Sequence, residues 1–216
     1  MSLMPLADEL MKKGVLKNPA LIKAFEKADR KYFVPEADSK FAYADEPLPI
    51  GEGQTISQPW TVAFMLELLR PKAGENIMEI GYGSGWVSAL LACTRANVYA
   101  MELLENICKF GRENFEKFKK EILEPGSLGK AEFFCRDGTS GLPEEAKKLG
   151  GFDKIIASAA AQKDVPVSWK EQLKIGGCIV APVKDSLLYI MKESESEFIE
   201  KEFHGFLFVP LRSGGQ

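Results

Sequence analysis

Three acidic residues, Glu79, Glu102 and Asp137, each close a short apolar stretch, and the first leads into the glycine-rich turn of IMEIGYGSGW. Gly81, Gly83 and Gly85 suit a strand-to-helix turn in which the backbone bends tightly and passes close to a ligand. In a dinucleotide-binding fingerprint the third glycine would fall at position 86, which is Trp86. An acid just before this turn suits a cofactor with an ammonium and no pyrophosphate, and S-adenosylmethionine has that chemistry. Glu102 follows Gly81 by 21 residues, the spacing at which a strand-end acid accepts from both ribose hydroxyls. Asp137-Gly138 ends a third stretch, EFFCRDG, where the carboxylate can accept from an adenine amino group. A lone glycine-rich turn is an ordinary strand-to-helix connection, and a lone strand-end acid is an ordinary cap. Three acids in register at the ends of consecutive strands point to a ligand crevice.

Those acids need strands to carry them, and the chain supplies an alternating pattern. Asn76 to Ile80, Ala96 to Met101, Ala131 to Cys135 and Lys154 to Ala157 read as strands. Between and after them Trp86 to Thr94, Leu104 to Lys120, Leu142 to Leu149 and Trp169 to Leu173 read as helices. Alternation at these lengths predicts an α/β fold with one doubly wound, mostly parallel sheet and right-handed crossovers. The last part, Cys178 to Val183, Leu187 to Lys192 and Gly205 to Val209, reads as strands, so the sheet is expected to end in a C-terminal antiparallel hairpin. Ahead of this core, Leu6 to Lys13 and Asn18-Pro19 to about Ala28 read as helices, and a third begins at Gln58-Pro59 and stops at Arg70-Pro71. Residues 1–70 are expected to pack as an N-terminal helical flap with a substrate loop on a core of 71–216, all in one structural domain. Met1-Ser2-Leu3 reads as an expression remnant ahead of Met4.

A chain of 216 residues with 45% hydrophobic and 27% charged residues has enough apolar material for one core. The net charge of −3, with both signs interspersed, argues against a nucleic-acid surface. No apolar run is long enough to span a membrane. One histidine, His204, and four cysteines without CxxC spacing speak against a metal site or a disulfide framework. Free thiols in a reducing cytoplasm are the expectation, and His204 reads as a surface or hairpin residue.

YADEPLPIGEGQTISQPWTVAFML, residues 43–66, sets three prolines and two glycines ahead of an apolar helix, a costly loop for a compact protein. With YFVPE, EIGYGSGW, FDKIIASAAA, EQLKIGGCIVAPV and FVPL it resembles the protein-L-isoaspartate (D-aspartate) O-methyltransferase family over nearly the whole chain. The long loop motif is distinctive of that family, whereas the glycine turn belongs to methyltransferases in general. The resemblance implies methyl transfer from S-adenosylmethionine, leaving S-adenosylhomocysteine, to the free carboxylate of isoaspartyl residues in damaged proteins and peptides, with D-aspartyl residues as a second acceptor. It places Gln54, Thr55, Ile56 and Ser57 over cofactor and acceptor and gives Ser57 the active-site serine role. It also implies cofactor contacts at Glu79, Gly81, Gly83, Gly85, Glu102, Asp137 and Gly138. Pro47, Leu48, Pro49, Ile50, Thr55 and Ser57 become the acceptor-binding set, with no metal. A monomer in the cytoplasm is expected. The chain departs from the pattern at Tyr82, Ser158, Gln162 and the longer EILEPGSLGK segment, and the residues after Leu211 match poorly.

The loop then has a physical purpose. A cleft that accepts isoaspartate in many contexts reads backbone and one carboxylate, and so should be indifferent to the flanking residues. Pro47 and Pro49 restrict the loop before a peptide docks, which lowers the ordering cost. A carboxylate is already ionised at neutral pH, so transfer needs alignment and water exclusion rather than a general base. Ser57 is expected to orient the carboxylate by hydrogen bonding and not to act as a nucleophile. Three other readings compete: a methyltransferase for RNA or a small molecule, a silent cofactor-binding module for isoaspartyl or C-terminal ends, and a nicotinamide dehydrogenase. SAAA at residues 158–161, where amine-methylating enzymes carry an Asn/Asp-Pro-Pro-aromatic tetrapeptide, disfavours the first. Intact GQTIS disfavours the second, and Trp86 the third.

Overall fold

The computed structural model describes residues 6–121 and 126–214. Met1-Ser2-Leu3 and residues 122–125 of the long 121–130 segment lie outside the described residues. The chain opens with helices α1 (Leu6–Lys12) and α2 (Pro19–Lys27). Asn18 caps α2 by accepting from Ala20 N, and Pro19 fits the first turn, where its missing N–H costs nothing. Two 3-10 turns follow, Arg30–Phe33 and Glu36–Phe41. The proline-rich loop then folds into a small antiparallel hairpin of β1 (Leu48–Gly51) and β2 (Gln54–Ile56), a structure its irregular composition does not announce. Helix α3 (Pro59–Leu69) starts at a proline and stops where Arg70 turns left-handed at φ 50°.

The core alternates as expected: β3 (Asn76–Ile80), α4 (Trp86–Cys93), β4 (Asn97–Glu102), α5 (Glu105–Glu121), β5 (Ala131–Cys135), α6 (Pro143–Leu149), β6 (Phe152–Ala157) and α7 (Val167–Gln172). Strands β7 (Leu173–Val183), β8 (Ser186–Lys192) and β9 (Phe198–His204) complete the sheet. Its order is β5-β4-β3-β6-β7-β8-β9. The first five are mutually parallel, whereas β8 and β9 run antiparallel to their neighbours. The chain leaves β3 toward β4 and β5 on one side and later returns to β6 on the other. The crevice beyond the carboxyl end of β3 is therefore the switch point where ligands bind in such sheets.

The last strand is not where periodicity puts it. Residues 205–209 are not a strand; the edge strand is Phe198–His204, a charged stretch that leaves most of its side chains exposed. An edge strand needs few apolar residues and is protected by its charges. The apolar GFLFVPL instead crosses the carboxyl end of the sheet, tied down by Ala160 N donating to Val209 O and Leu211 N to Ala160 O. His204 ends β9, as a surface residue of that hairpin, with Nδ1 2.9 Å from Ser186 Oγ.

Apolar layers cover both sheet faces. Trp169 and Phe152 anchor one, beneath α6 and α7. The larger holds Trp86, Phe33 and Phe118 and continues without a break into α1, α2 and α3. Phe25 of α2 meets Trp86 edge to face at 5.6 Å, and Trp86 Nε1 donates to Ala28 O at 2.9 Å. The N-terminal helices are thus fastened to the helix that follows the glycine turn.

Candidate active site

The glycine turn leaves β3 with its first two amides, Gly81 N and Tyr82 N, both donating to Met101 O at the end of β4. Gly85 has φ +84°, and a Cβ there would meet Gly111 O of α5 at 2.7 Å. Only glycine serves both demands. A Cβ on Gly83, at φ +53°, would touch Ile50 Cδ1 at 3.4 Å, so the β1–β2 hairpin lies directly over the turn. Asn106 Nδ2, donating to Glu52 Oε1 at 2.5 Å, pins the hairpin tip to the first turn of α5.

One cleft opens beneath that hairpin. Gln54, Thr55, Ile56 and Ser57 roof it, with Ile50. Gly81, Tyr82 and Gly83 form its floor, and Glu102, Leu103, Arg136 and Gly138 its far wall. Ser158, Ala159 and the run Val209 to Arg212 close the remaining side. Glu102 is held by three backbone donors: Gly83 N at 3.1 Å on Oε2, Leu103 N at 2.8 Å and Leu104 N at 3.1 Å on Oε1. A carboxylate fixed in this way has spare lone pairs directed at a ligand. The glycine floor and Glu102 fit a nucleoside cofactor: one presents bare backbone, the other a preorganised pair of acceptors.

Three of the expected cofactor contacts, and three of the expected acceptor contacts, do not line the cleft. Glu79 is fully buried behind the turn, accepting from Ser88 Oγ at 2.5 Å, with Oε1 lacking any hydrogen-bond partner among the described residues. Burial, with Glu102 nearby, pushes its carboxyl up to about 8 against the pull of Ser88, which favours the neutral acid at pH 7. It stands at the sheet centre, and its alternate-face partners on β3, Met78 and Ile80, line the other side. Gly85 also lies behind the floor, against α5. Asp137 sits beside the cleft and accepts from Thr139 N and Oγ1 and from Gly214 N at 2.7 Å. Partial burial raises its pKa, but the Gly214 and Thr139 hydrogen bonds outweigh that and hold it below the usual carboxylate range. Of the proline segment, Leu48 is buried in the core, Pro49 is exposed, and Pro47 lines a neighbouring groove.

Ser57 is half-buried, and its hydroxyl has no hydrogen-bond partner among the described residues. It lacks the base a nucleophile needs, and it is free to donate to an incoming oxygen. Its carbonyl accepts from Arg30 Nη2 at 3.1 Å. The Arg30 guanidinium also donates to Ala42 O, Ala44 O and Glu46 O and lies 5.3 Å from the Trp86 ring centroid. Burial lowers its pKa to about 10, so it remains charged at neutral pH. Sequence reading passed over Arg30, because buried arginines carry no periodic signal. Arg212 and Gly214 were passed over too, since the tail after Leu211 has no matching motif.

Tyr82 fills space between turn and helix. Its hydroxyl donates to Cys108 O at 3.0 Å, its ring meets Phe133 edge-on at 5.0 Å, and burial pushes its pKa up to about 12. Beside it the free-thiol expectation fails for two of the four cysteines, because Cys108 and Cys135 form a disulfide. They are 27 residues apart in the chain, and only the packing of α5 beside the end of β5 brings them together. Cys93 and Cys178 are free.

Five parallel strands with a glycine turn at the switch point, an acid fixed at the next strand end and an antiparallel pair closing the sheet give the class I S-adenosylmethionine-dependent methyltransferase fold. The model of the Protein-L-isoaspartate(D-aspartate) O-methyltransferase family matches residues 2–216, and the chain belongs to that family. Proteins named protein-L-isoaspartate O-methyltransferase are similar along almost their full length. The one from Cytophaga hutchinsonii is 39% identical over 207 residues, covering 94% of this chain and 86% of its own. That from Flavobacterium psychrophilum is 40% identical over 211 residues, 95% of this chain and 92% of its own. A crystal structure of a beta-aspartate methyltransferase from Plasmodium falciparum, in complex with S-adenosyl-L-homocysteine, superposes with a TM-score of 0.82 at 24% identity, over 97% of each chain. At that identity the likeness establishes the fold.

Proposed function

We propose that this protein transfers a methyl group from S-adenosylmethionine to the free carboxylate of L-isoaspartyl residues, and of D-aspartyl residues, in damaged proteins and peptides, beginning their repair. The observation that carries this reading is one cleft holding both the backbone-fixed Glu102 and the Gln54–Ser57 roof with its unengaged hydroxyl. Family membership supports the acceptor; the roles of individual residues rest on geometry and chemistry. Glu102 would accept from the ribose hydroxyls, Gly81 and Gly83 would lie under the cofactor, and Gly138 would border its base. S-adenosylmethionine, when bound, supplies an already electrophilic methyl group on its sulfonium. This chain's task is then to bring an ionised carboxylate in line and dry. Ser57 Oγ donates to one carboxylate oxygen and leaves the other directed at the methyl, and Ile56 and Val209 exclude water. No residue need remove a proton, since the acceptor is ionised at neutral pH. Asp137 is assigned to holding the tail through Gly214, and Glu79 to the interior of the turn.

Residues 1–70 act in this proposal as the acceptor-side cap on a 71–216 cofactor core. The working form is a monomer acting on peptides in the cytoplasm, with neither nucleic acid nor metal. No helix among the described residues is long and apolar enough to cross a membrane. The Cys108–Cys135 disulfide is an exception to the free thiols that a reducing cytoplasm favours. The decisive experiment incubates the protein with labelled S-adenosylmethionine and paired peptides that differ only in aspartyl or isoaspartyl linkage. A base-labile methyl ester on the isoaspartyl peptide alone is expected; equal labelling of both, or of neither, refutes the proposal.

A further inference from the structure

A second groove leads away from Ser57. It shares Thr55, Ser57, Ser158 and Val209 with the cleft, so the two are continuous. Past Ser57 its walls change character, with Pro47 and Trp60 on one side and Phe206, Leu207 and Phe208 on the other. We infer that this groove is a subsite for a large apolar side chain adjacent to the isoaspartyl residue, so that the protein discriminates among methyl acceptors instead of ignoring their sequence; this rests on the methyl-transfer reading above.

Three observations converge on that occupant. The aromatic wall is already fixed: Trp60 stacks on Phe64 at 5.3 Å with the planes 8° apart, and Phe206 stacks on the same ring at 5.2 Å. Phe203 closes the stack edge-on at 5.3 Å. A rigid apolar wall binds without an ordering cost. Among the described residues the groove is lined by no acidic side chain, and His204 is the only titratable one, so an uncharged occupant fits. Third, no hydrogen bond joins Leu207 or Phe208 to any described residue, although Phe206 N donates to Asp185 O and Val209 O accepts from Ala160 N on either side. Two residues of unpaired backbone beside the cleft form an edge along which an extended peptide can pair. Main-chain pairing tolerates any sequence, while the groove beyond it selects a side chain. Extended chain advances about 3.3 Å per residue, and Ser57 and Trp60 line the same groove, so a residue flanking an isoaspartate held at Ser57 enters the groove that Trp60 lines. Leu207, 88% exposed, is the apolar surface such a side chain would cover.

The test measures kcat/KM for isoaspartyl peptides carrying Phe, Leu, Gly or Glu at the residue before, and separately after, the isoaspartate. At one of these positions Phe and Leu are expected to exceed Gly by roughly three- to ten-fold, as half-burial of such a side chain gives, with Glu below Gly. Leu207→Asp, a change at an exposed side chain, should collapse the Phe-to-Gly ratio to about one, and Trp60→Ala should do the same. Affinity for S-adenosylhomocysteine, measured by calorimetry, should not move in either variant, which reports an intact cofactor core. Equal turnover of Phe and Gly peptides at both positions by the unaltered protein overturns the subsite, as does a preference that survives Leu207→Asp. If S-adenosylhomocysteine binds but no isoaspartyl peptide is methylated, the methyl-transfer reading itself is wrong, and that outcome is distinct from turnover without preference.

Discussion

Ser57 shows how little a side chain need do when the electrophile is already activated. Its hydroxyl faces the cleft with no partner among the described residues, and its backbone is fixed by the Arg30 guanidinium. Four carbonyls flanking the β1–β2 hairpin converge on that guanidinium, which satisfies them inside the protein and sets where Ser57 stands. If Ser57 only orients the acceptor, Ser57→Ala should lose one hydrogen bond to a charged group, about 1.5–3 kcal/mol, or roughly ten- to a hundred-and-fifty-fold in turnover. Affinity for the cofactor should be nearly unchanged. A nucleophilic serine predicts something else: an inert alanine variant, ping-pong kinetics and a methylated Ser57 detectable by mass spectrometry. Finding that adduct would overturn the orienting role while leaving the family assignment untouched.

At the level of elements, the sequence announced what is periodic and missed what is packed. The strands ending in Ile80, Glu102 and Cys135 and their intervening helices were legible because buried parallel strands are apolar runs and amphipathic helices repeat. The β1–β2 hairpin, the charged edge strand β9 and the crossing of residues 205–211 were not, since each owes its place to neighbours distant in the chain. The same holds within the site. Glu102 could be read from a spacing, whereas the retreat of Glu79 into the sheet and of Asp137 toward Gly214 depends on which face a side chain takes and what lies against it. The disulfide belongs at this scale too, as a clip between the end of β5 and the start of α5 beside the Leu103–Arg136 wall. Closing a loop with a sequence separation of 27 should contribute about 3–4 kcal/mol by restricting the unfolded chain. Cys108→Ser, or reduction of the unaltered protein, is therefore expected to lower the denaturation midpoint, and reducing the variant should produce no additional fall. A midpoint that ignores reductant would mean that the two sulfurs are not joined in solution.

For the molecule as a whole, the unusual commitment is an acid at the centre of a sheet covered on both faces. Glu79 has a folded pKa of about 8 against an ordinary value of 4.5, driven first by burial and only partly relieved by Ser88. Between those two values the folded protein retains a proton that the unfolded chain has released. Folding therefore takes up a proton in this window, and stability attributable to Glu79 falls as pH rises through it. Below about 4.5 both states are protonated and the penalty vanishes; above about 8 both are ionised and it is complete. Glu79→Gln keeps an acceptor for Ser88 and cannot ionise. The stability of the variant minus that of the unaltered protein should accordingly climb from pH 5 to pH 8, with a slope of at most about 1.4 kcal/mol per pH unit. Taking the difference cancels the other titrating groups, which the two proteins share. Urea titrations at pH 5, 6, 7 and 8 supply the measurement, and a difference that stays flat would show that Glu79 is ionised in the fold. In that case its Oε1, without a partner among the described residues, must be met by a buried water, and the turn beneath the cofactor would carry a full negative charge.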